Sequence, residues 1–135
     1  SLKKETLLKW DDKNIVKWLG WIDDVDQILR DTDILCLPSY REGLPKALLE
    51  GAAMSLPIIT TDTVGCRDVV KDGLNGFLVP IKNSEELANK ILILINNQKL
   101  RKKMGIESFK LAKSQFSAEI INSQTMEVYN NISTK

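Results

Sequence analysis

The chain has 135 residues, 43% of them hydrophobic, and sets 19 Lys+Arg against 18 Asp+Glu. That is one domain's length with enough apolar side chains for a real core. A net charge of +1 offers no electrostatic basis for non-specific binding to nucleic acid or an anionic membrane. The chain contains no histidine, which excludes Ser-His-Asp triads, Cys-His dyads, His-ligated zinc and His proton shuttles from its own side chains. Its two cysteines are too few for a four-ligand structural zinc site. Cys36 in an apolar run and Cys66 in a polar stretch are expected to be free thiols in a reducing compartment, one of them simply core. No run approaches the length of a transmembrane helix. The chain starts at Ser1 rather than at a Met, and a piece of a longer protein is the expectation.

Short apolar runs alternate with helical patterns, which predicts βα units, an α/β class and a parallel sheet. The run at 15–19, stopped by Gly20, predicts a first strand. Asp23 or Asp24 can cap a short helix that lines up Val25, Ile28 and Leu29. Residues 34–37 form an apolar strand suited to burial on both faces, followed by a loop over 38–44. Pro45 sits where a first helical residue tolerates proline, and the helix over 45–55 is small and apolar enough to pack closely.

A strand is expected at 57–61, a helical turn at 68–70, turn residues at 72–76 and a last short strand at 76–80. Ser84, with Glu85 and Glu86, caps a helix carrying Leu87, Ile91, Leu94 and Ile95. A second helix is expected over about 98–113 and a third from 116, with residues 130–135 fraying.

Ligands of open parallel sheets bind outside the carboxyl ends of the strands. The loops after Leu37, Thr61 and Gly20 are therefore the candidates, and the loop at 38–45 is the unusual one. Glu42 lies just before an expected helix N-terminus, Gly43 lets the main chain approach a ligand, and amides near Leu44 suit a phosphate. Glu50 follows in the same helix, eight residues on, so a bound phosphate would leave carboxylates for vicinal diols on either side. The same residues also fit a plainer arrangement, in which Glu42 caps the helix and Glu50 pairs with Lys46 or Arg41.

Here the sequence resembles the C-terminal half of glycosyltransferase family 4, retaining enzymes of the two-domain GT-B fold. The resemblance runs through VKWLG at 16–20, DTDILCLPS at 31–39, EGLPKALLEGAAMSLPIITTD at 42–62 and GCRDVVKDGLNGFLVP at 65–80. The trailing helices match in kind, so most of the chain is covered. The implied fold is a Rossmann-like parallel sheet flanked by helices. The whole of 1–135 would be one donor-binding domain, without the acceptor-binding N-terminal half and without the first βα units.

The resemblance implies that Glu42 lies by the donor sugar as the catalytic residue and that Glu50 binds the ribose. Gly43 and Leu44 would hold the diphosphate, residues near Gly20 would line the base pocket, and Gly65 and Asp68 would flank the site as structural residues. It implies no metal and no cofactor, with a nucleoside diphosphate sugar as co-substrate. The family's cations for the diphosphate have no match here, and Arg41, Lys46 and Arg67 are nearby substitutes at best. Gly51 and Ser55 stand where alanine and glycine are usual, and Gly51 is expected to loosen its helix slightly.

The implied activity is transfer of a hexose to a glycan or lipid-linked acceptor. The pathway implied is bacterial surface polysaccharide (capsule or O-antigen) assembly, in the cytoplasm or at the inner face of the cytoplasmic membrane. Alternatives are a nucleotide-binding module without turnover and a GT-B nucleotide-sugar epimerase. With the upstream strands missing, the sheet is expected to close by pairing 15–19 with 34–37 directly, or by self-association with another copy.

Overall fold

A computed structural model describes residues 4–20, 22–38 and 46–115. Its elements run α1 (Lys4–Asp12), α2 (Val25–Arg30), β1 (Leu35–Leu37), α3 (Lys46–Ala53), β2 (Ile58–Thr61), α4 (Val64–Val69), β3 (Gly76–Val79), α5 (Ser84–Ile95) and α6 (Gln98–Gln115). The three strands form one parallel sheet in the order β1-β2-β3. Right-handed crossovers that step the same way across a sheet put their helices on the same face. Accordingly α3 and α4 share one face, where Leu48, Leu49, Ala52, Cys66 and Val69 pack with Ile58, Leu35 and Leu78. Leu87, Ile91 and Leu94 of α5 cover the other face with Ile59, Cys36 and Phe77.

Successive strand residues point to opposite faces, so a strand covered on both sides must be apolar throughout. All of β2 is buried, and burial of Ile58 and Ile59 is worth about 1.5–3 kcal/mol each. α2 is capped by Asp24, whose side chain accepts the Gln27 N–H (3.2 Å), and it buries Leu29 against Met54 and Leu56.

α6 belongs to both faces. Leu100 and Met104 pack with the α5 side, while Ala112 reaches the α3 side. Between them the helix passes the amino ends of β2 and β3, where buried Ser108 donates to the Leu56 carbonyl (2.6 Å). Asn75, fully buried just ahead of β3, donates to the Val69 carbonyl (3.0 Å) and accepts the Lys71 N–H (2.8 Å). The amino edge is thus closed by long-range ties, and the carboxyl edge is left for a site.

Several expectations change. Residues 15–19 are not a strand and do not pair with 34–37; among the described residues β1 pairs with β2 alone. A strand needs a neighbour to take up its backbone groups, whereas here Ile15 N–H bonds back to the Trp10 carbonyl (2.9 Å), winding the segment onto the end of α1. The α1 helix, for which no element was expected, carries Lys4 and Glu5 in its first turn and Lys9, Asp11 and Asp12 in its last, so its charges give the helix dipole no net support.

The cap of α5 is Asn83 rather than Ser84, accepting the Glu86 N–H at 2.9 Å. α4 begins at Val64, ahead of the turn expected at 68–70. Of the two thiols, Cys66 is fully buried core and Cys36 is half-buried, with burial pushing its pKa up. Gly51 has a packing reason: a Cβ there would overlap the Leu35 side chain. The third helix expected from 116 lies outside the described residues.

Candidate functional site

A cleft of about 290 Å³ opens at the carboxyl ends of all three strands. Pro38 follows β1, Thr61 ends β2 and Val79 ends β3; Lys82, Asn83 and Ser84 supply a polar wall at the start of α5. Strand carboxyl ends and a helix start converge there because the chain leaves every strand of a parallel sheet from the same edge. Pro38 opens one of the three loops singled out from sequence, and Thr61 is the strand end from which another departs. The wall at 82–84 was missed, and its residue types alone carried no signal beyond a helix cap.

Glu50 is the fifth of the eight residues of α3 and is half-buried. Among the described residues no ion pair and no side-chain hydrogen bond reaches its carboxylate. Exposed Lys46, one turn earlier, does not pair with it. The arrangement in which Glu50 is a surface partner of Lys46 is therefore not the one adopted. Glu42, Gly43, Leu44 and Arg41 lie outside the described residues.

Gly20 is exposed with φ +69°, a left-handed conformation that glycine adopts without strain, and it is not among the residues lining the cleft. Gly65 is buried in α4 and Asp68 is exposed.

Beyond β2, Arg67 of α4 pairs with Asp62 at 2.5 Å. Both side chains are about half exposed (55% and 50%), so the pair contributes at most about 1 kcal/mol. It does hold the Arg67 guanidinium on Asp62, and as it stands Arg67 is a partnered cation rather than a free one.

Below this rim, β2 ends in two buried threonines. The Thr60 hydroxyl donates to the Leu37 carbonyl at 2.7 Å, tying the end of β1 to β2.

The family model for glycosyl transferases group 1 matches residues 3–111. The chain belongs to the group 1 glycosyl transferases. It is similar to the N,N'-diacetylbacillosaminyl-diphospho-undecaprenol alpha-1,3-N-acetylgalactosaminyltransferase of Campylobacter jejuni, 31% identical over 117 residues, which is 87% of this chain and 31% of that protein.

Among solved structures, the C-terminal domain of the group 1 family protein LpcC from Francisella tularensis matches with TM-score 0.70 and 30% identity, over 83% of this chain and 60% of that one. Anabaena Alr3699/HepE in complex with UDP-glucose matches with TM-score 0.77 and 25% identity, over 94% of this chain and 36% of that one. This group 1 chain thus spans about a third of the length of the curated relatives it matches. Its parallel sheet flanked by helices matches the Rossmann-like C-terminal domain of GT-B type glycosyltransferases.

Proposed function

We propose that this chain is the donor-binding half of a retaining glycosyltransferase of the family 4 kind. The reaction is transfer of a hexose from a nucleoside diphosphate sugar to a glycan or lipid-linked acceptor, in assembly of a bacterial surface polysaccharide such as a capsule or O-antigen. The observation that carries the reading is Glu50: a half-buried carboxylate with no cation among the described residues, on the helix that follows the segment bearing Glu42. A half-buried carboxylate without a protein partner is well matched to the hydroxyls of a ribose. The UDP-glucose held by the similar Anabaena protein and the diphospho-undecaprenol in the name of the Campylobacter relative support the two substrate classes.

In this reading Glu50 takes the ribose, Gly43 and Leu44 offer main-chain N–H groups to the diphosphate, Glu42 lies by the sugar and residues near Gly20 border the base. Bond cleavage leaves charge on the diphosphate, so the helix-end amides act by stabilising that charge. The leaving phosphate serves as the base towards the acceptor hydroxyl, and the reading assigns the reaction no metal and no cofactor. The acceptor is bound by the N-terminal half that the resemblance implies. The enzyme works in the cytoplasm or peripherally at the inner membrane face; no described helix is long and apolar enough to cross a membrane.

Taken by itself the chain binds donor without turning it over, since it spans 31% of the Campylobacter relative. Calorimetry with uridine, guanosine and adenosine diphosphates tests the reading, and the expected result is binding of one of them in preference to the others. Absence of binding by all three rejects it. Self-association along the edge of β1 that no described strand covers belongs to the same reading, because bare strand edges recruit partners. Light scattering that returns a monomer across concentrations rejects that part.

A further inference from the structure

We infer that Thr60 is a positioning residue for the donor site, acting through the carboxyl end of β1. Its side chain is fully buried, and its hydroxyl donates to the Leu37 carbonyl at 2.7 Å, 23 residues earlier in the chain. Leu37 is the last residue of β1, and Pro38 after it lines the cleft. A second buried group stands behind the hydroxyl: Cys66 Sγ of α4 lies 3.3 Å from Thr60 Oγ1. A hydroxyl has one hydrogen, and the shorter contact to the carbonyl takes it, so the thiol supplies the hydrogen of the longer contact. The result is a relay from α4 through β2 to the last carbonyl of β1.

Proline has no N–H, so the chain leaving β1 at Pro38 cannot be held by a donor of that residue's own. The Leu37 carbonyl is the adjoining group that a side chain can grip, and Thr60 grips it. Where the chain leaves β1 sets where Pro38 stands in the wall of the cleft. A valine at position 60 keeps the strand preference and nearly the volume but loses the grip. The strand pairing of Leu37 with Thr60 remains in that variant, so the sheet survives while the exit of the chain is freed.

The inference rests on the donor reading above, and the test separates the two. The affinity of the chain for its preferred nucleoside diphosphate is measured by calorimetry, and thermal midpoints are recorded in parallel. Four proteins are compared: wild type, Thr60→Val, Thr60→Ser and Ser108→Ala. The last removes an equally buried hydroxyl-to-carbonyl tie at the opposite, amino edge of the sheet. Thr60→Val is expected to weaken nucleotide binding at least fivefold, Thr60→Ser to restore it to within twofold, and Ser108→Ala to lower the midpoint without changing affinity.

Wild-type affinity in Thr60→Val overturns the inference and leaves the donor reading standing. Losses of affinity that track the fall in midpoint in both Thr60→Val and Ser108→Ala also overturn it, since the role is then structural alone. A wild type that binds no nucleoside diphosphate overturns the donor reading and this inference together.

Discussion

Ser108 Oγ lies 2.6 Å from the carbonyl oxygen of Leu56, a residue 52 positions earlier in the chain. The same oxygen lies 3.2 Å from the Asn75 carbonyl, so one hydroxyl on α6 meets the chain ahead of both β2 and β3. Truncation to alanine strands the Leu56 carbonyl, while the Asn75 carbonyl keeps the Ile58 N–H. Ser108→Ala is expected to cost about 1–3 kcal/mol of unfolding free energy, read as a lower urea midpoint at unchanged slope.

Gly105 stands one turn before Ser108, and a Cβ there would run into the backbone carbonyl of Ser55. Helix propensity alone favours alanine over glycine by about 1 kcal/mol. The close approach reverses that sign. Gly105→Ala is expected to destabilise by about 1–3 kcal/mol as α6 is pushed off α3, and a raised thermal midpoint would show that the helix moves aside without cost.

Ser55 closes α3 in the left-handed region, with φ +63°. Its N–H bonds to the Ala52 carbonyl and the Leu56 N–H to that of Gly51, both at 3.1 Å, the two-bond pattern that favours glycine at this position. The Ser55 hydroxyl is buried without a partner. Ser55→Gly is expected to stabilise by about 0.5–1 kcal/mol, measured by chemical unfolding.

Burial raises the Cys36 thiol above its ordinary value of 9.0. The folded state then holds its proton more tightly than the unfolded chain does. The associated stability is complete below 9.0 and is lost as pH rises from there through the raised folded value. Unfolding free energy is therefore expected to decline on the alkaline side, less steeply in Cys36→Ala; identical alkaline slopes would assign the decline to other groups. Reaction of Cys36 with iodoacetamide at neutral pH is expected to be slow, since the thiolate is the nucleophile.

On the proposed donor reading, removing the Glu50 carboxylate is expected to forfeit charge-assisted hydrogen bonds of about 1.5–3 kcal/mol, roughly ten- to hundredfold in nucleotide affinity. Glu50→Ala should show that loss by calorimetry. Glu42→Ala in the whole enzyme is expected to abolish transfer while leaving nucleotide binding nearly intact. Wild-type turnover in the Glu42 variant removes that residue from the chemistry.

Much of this protein was legible locally. The buried strand β2, the periodic apolar positions of α5 and the inward Met104, Phe109 and Ala112 of α6 follow from residue patterns that set local structure. The rule that ligands of parallel sheets bind at the carboxyl edge marked the loop after β1, and the cleft opens at that edge, although Glu50 is not among the residues lining it. Residues 15–19 were misread for a physical reason: β-branched and aromatic residues have strand preference, but a strand is made by its neighbour. Backbone bonds back to the end of α1 took that place.

Tertiary structure alone settled the rest. No local pattern tells that Thr60 would reach Leu37, that Ser108 would reach Leu56, or that Gly105 would lie against the Ser55 carbonyl, because each contact joins residues far apart in the chain. Composition and periodicity determine which segments are apolar and which helices are capped. Packing determines which backbone groups a buried hydroxyl can meet, and thereby which edge of the sheet is sealed and which is left open for a ligand.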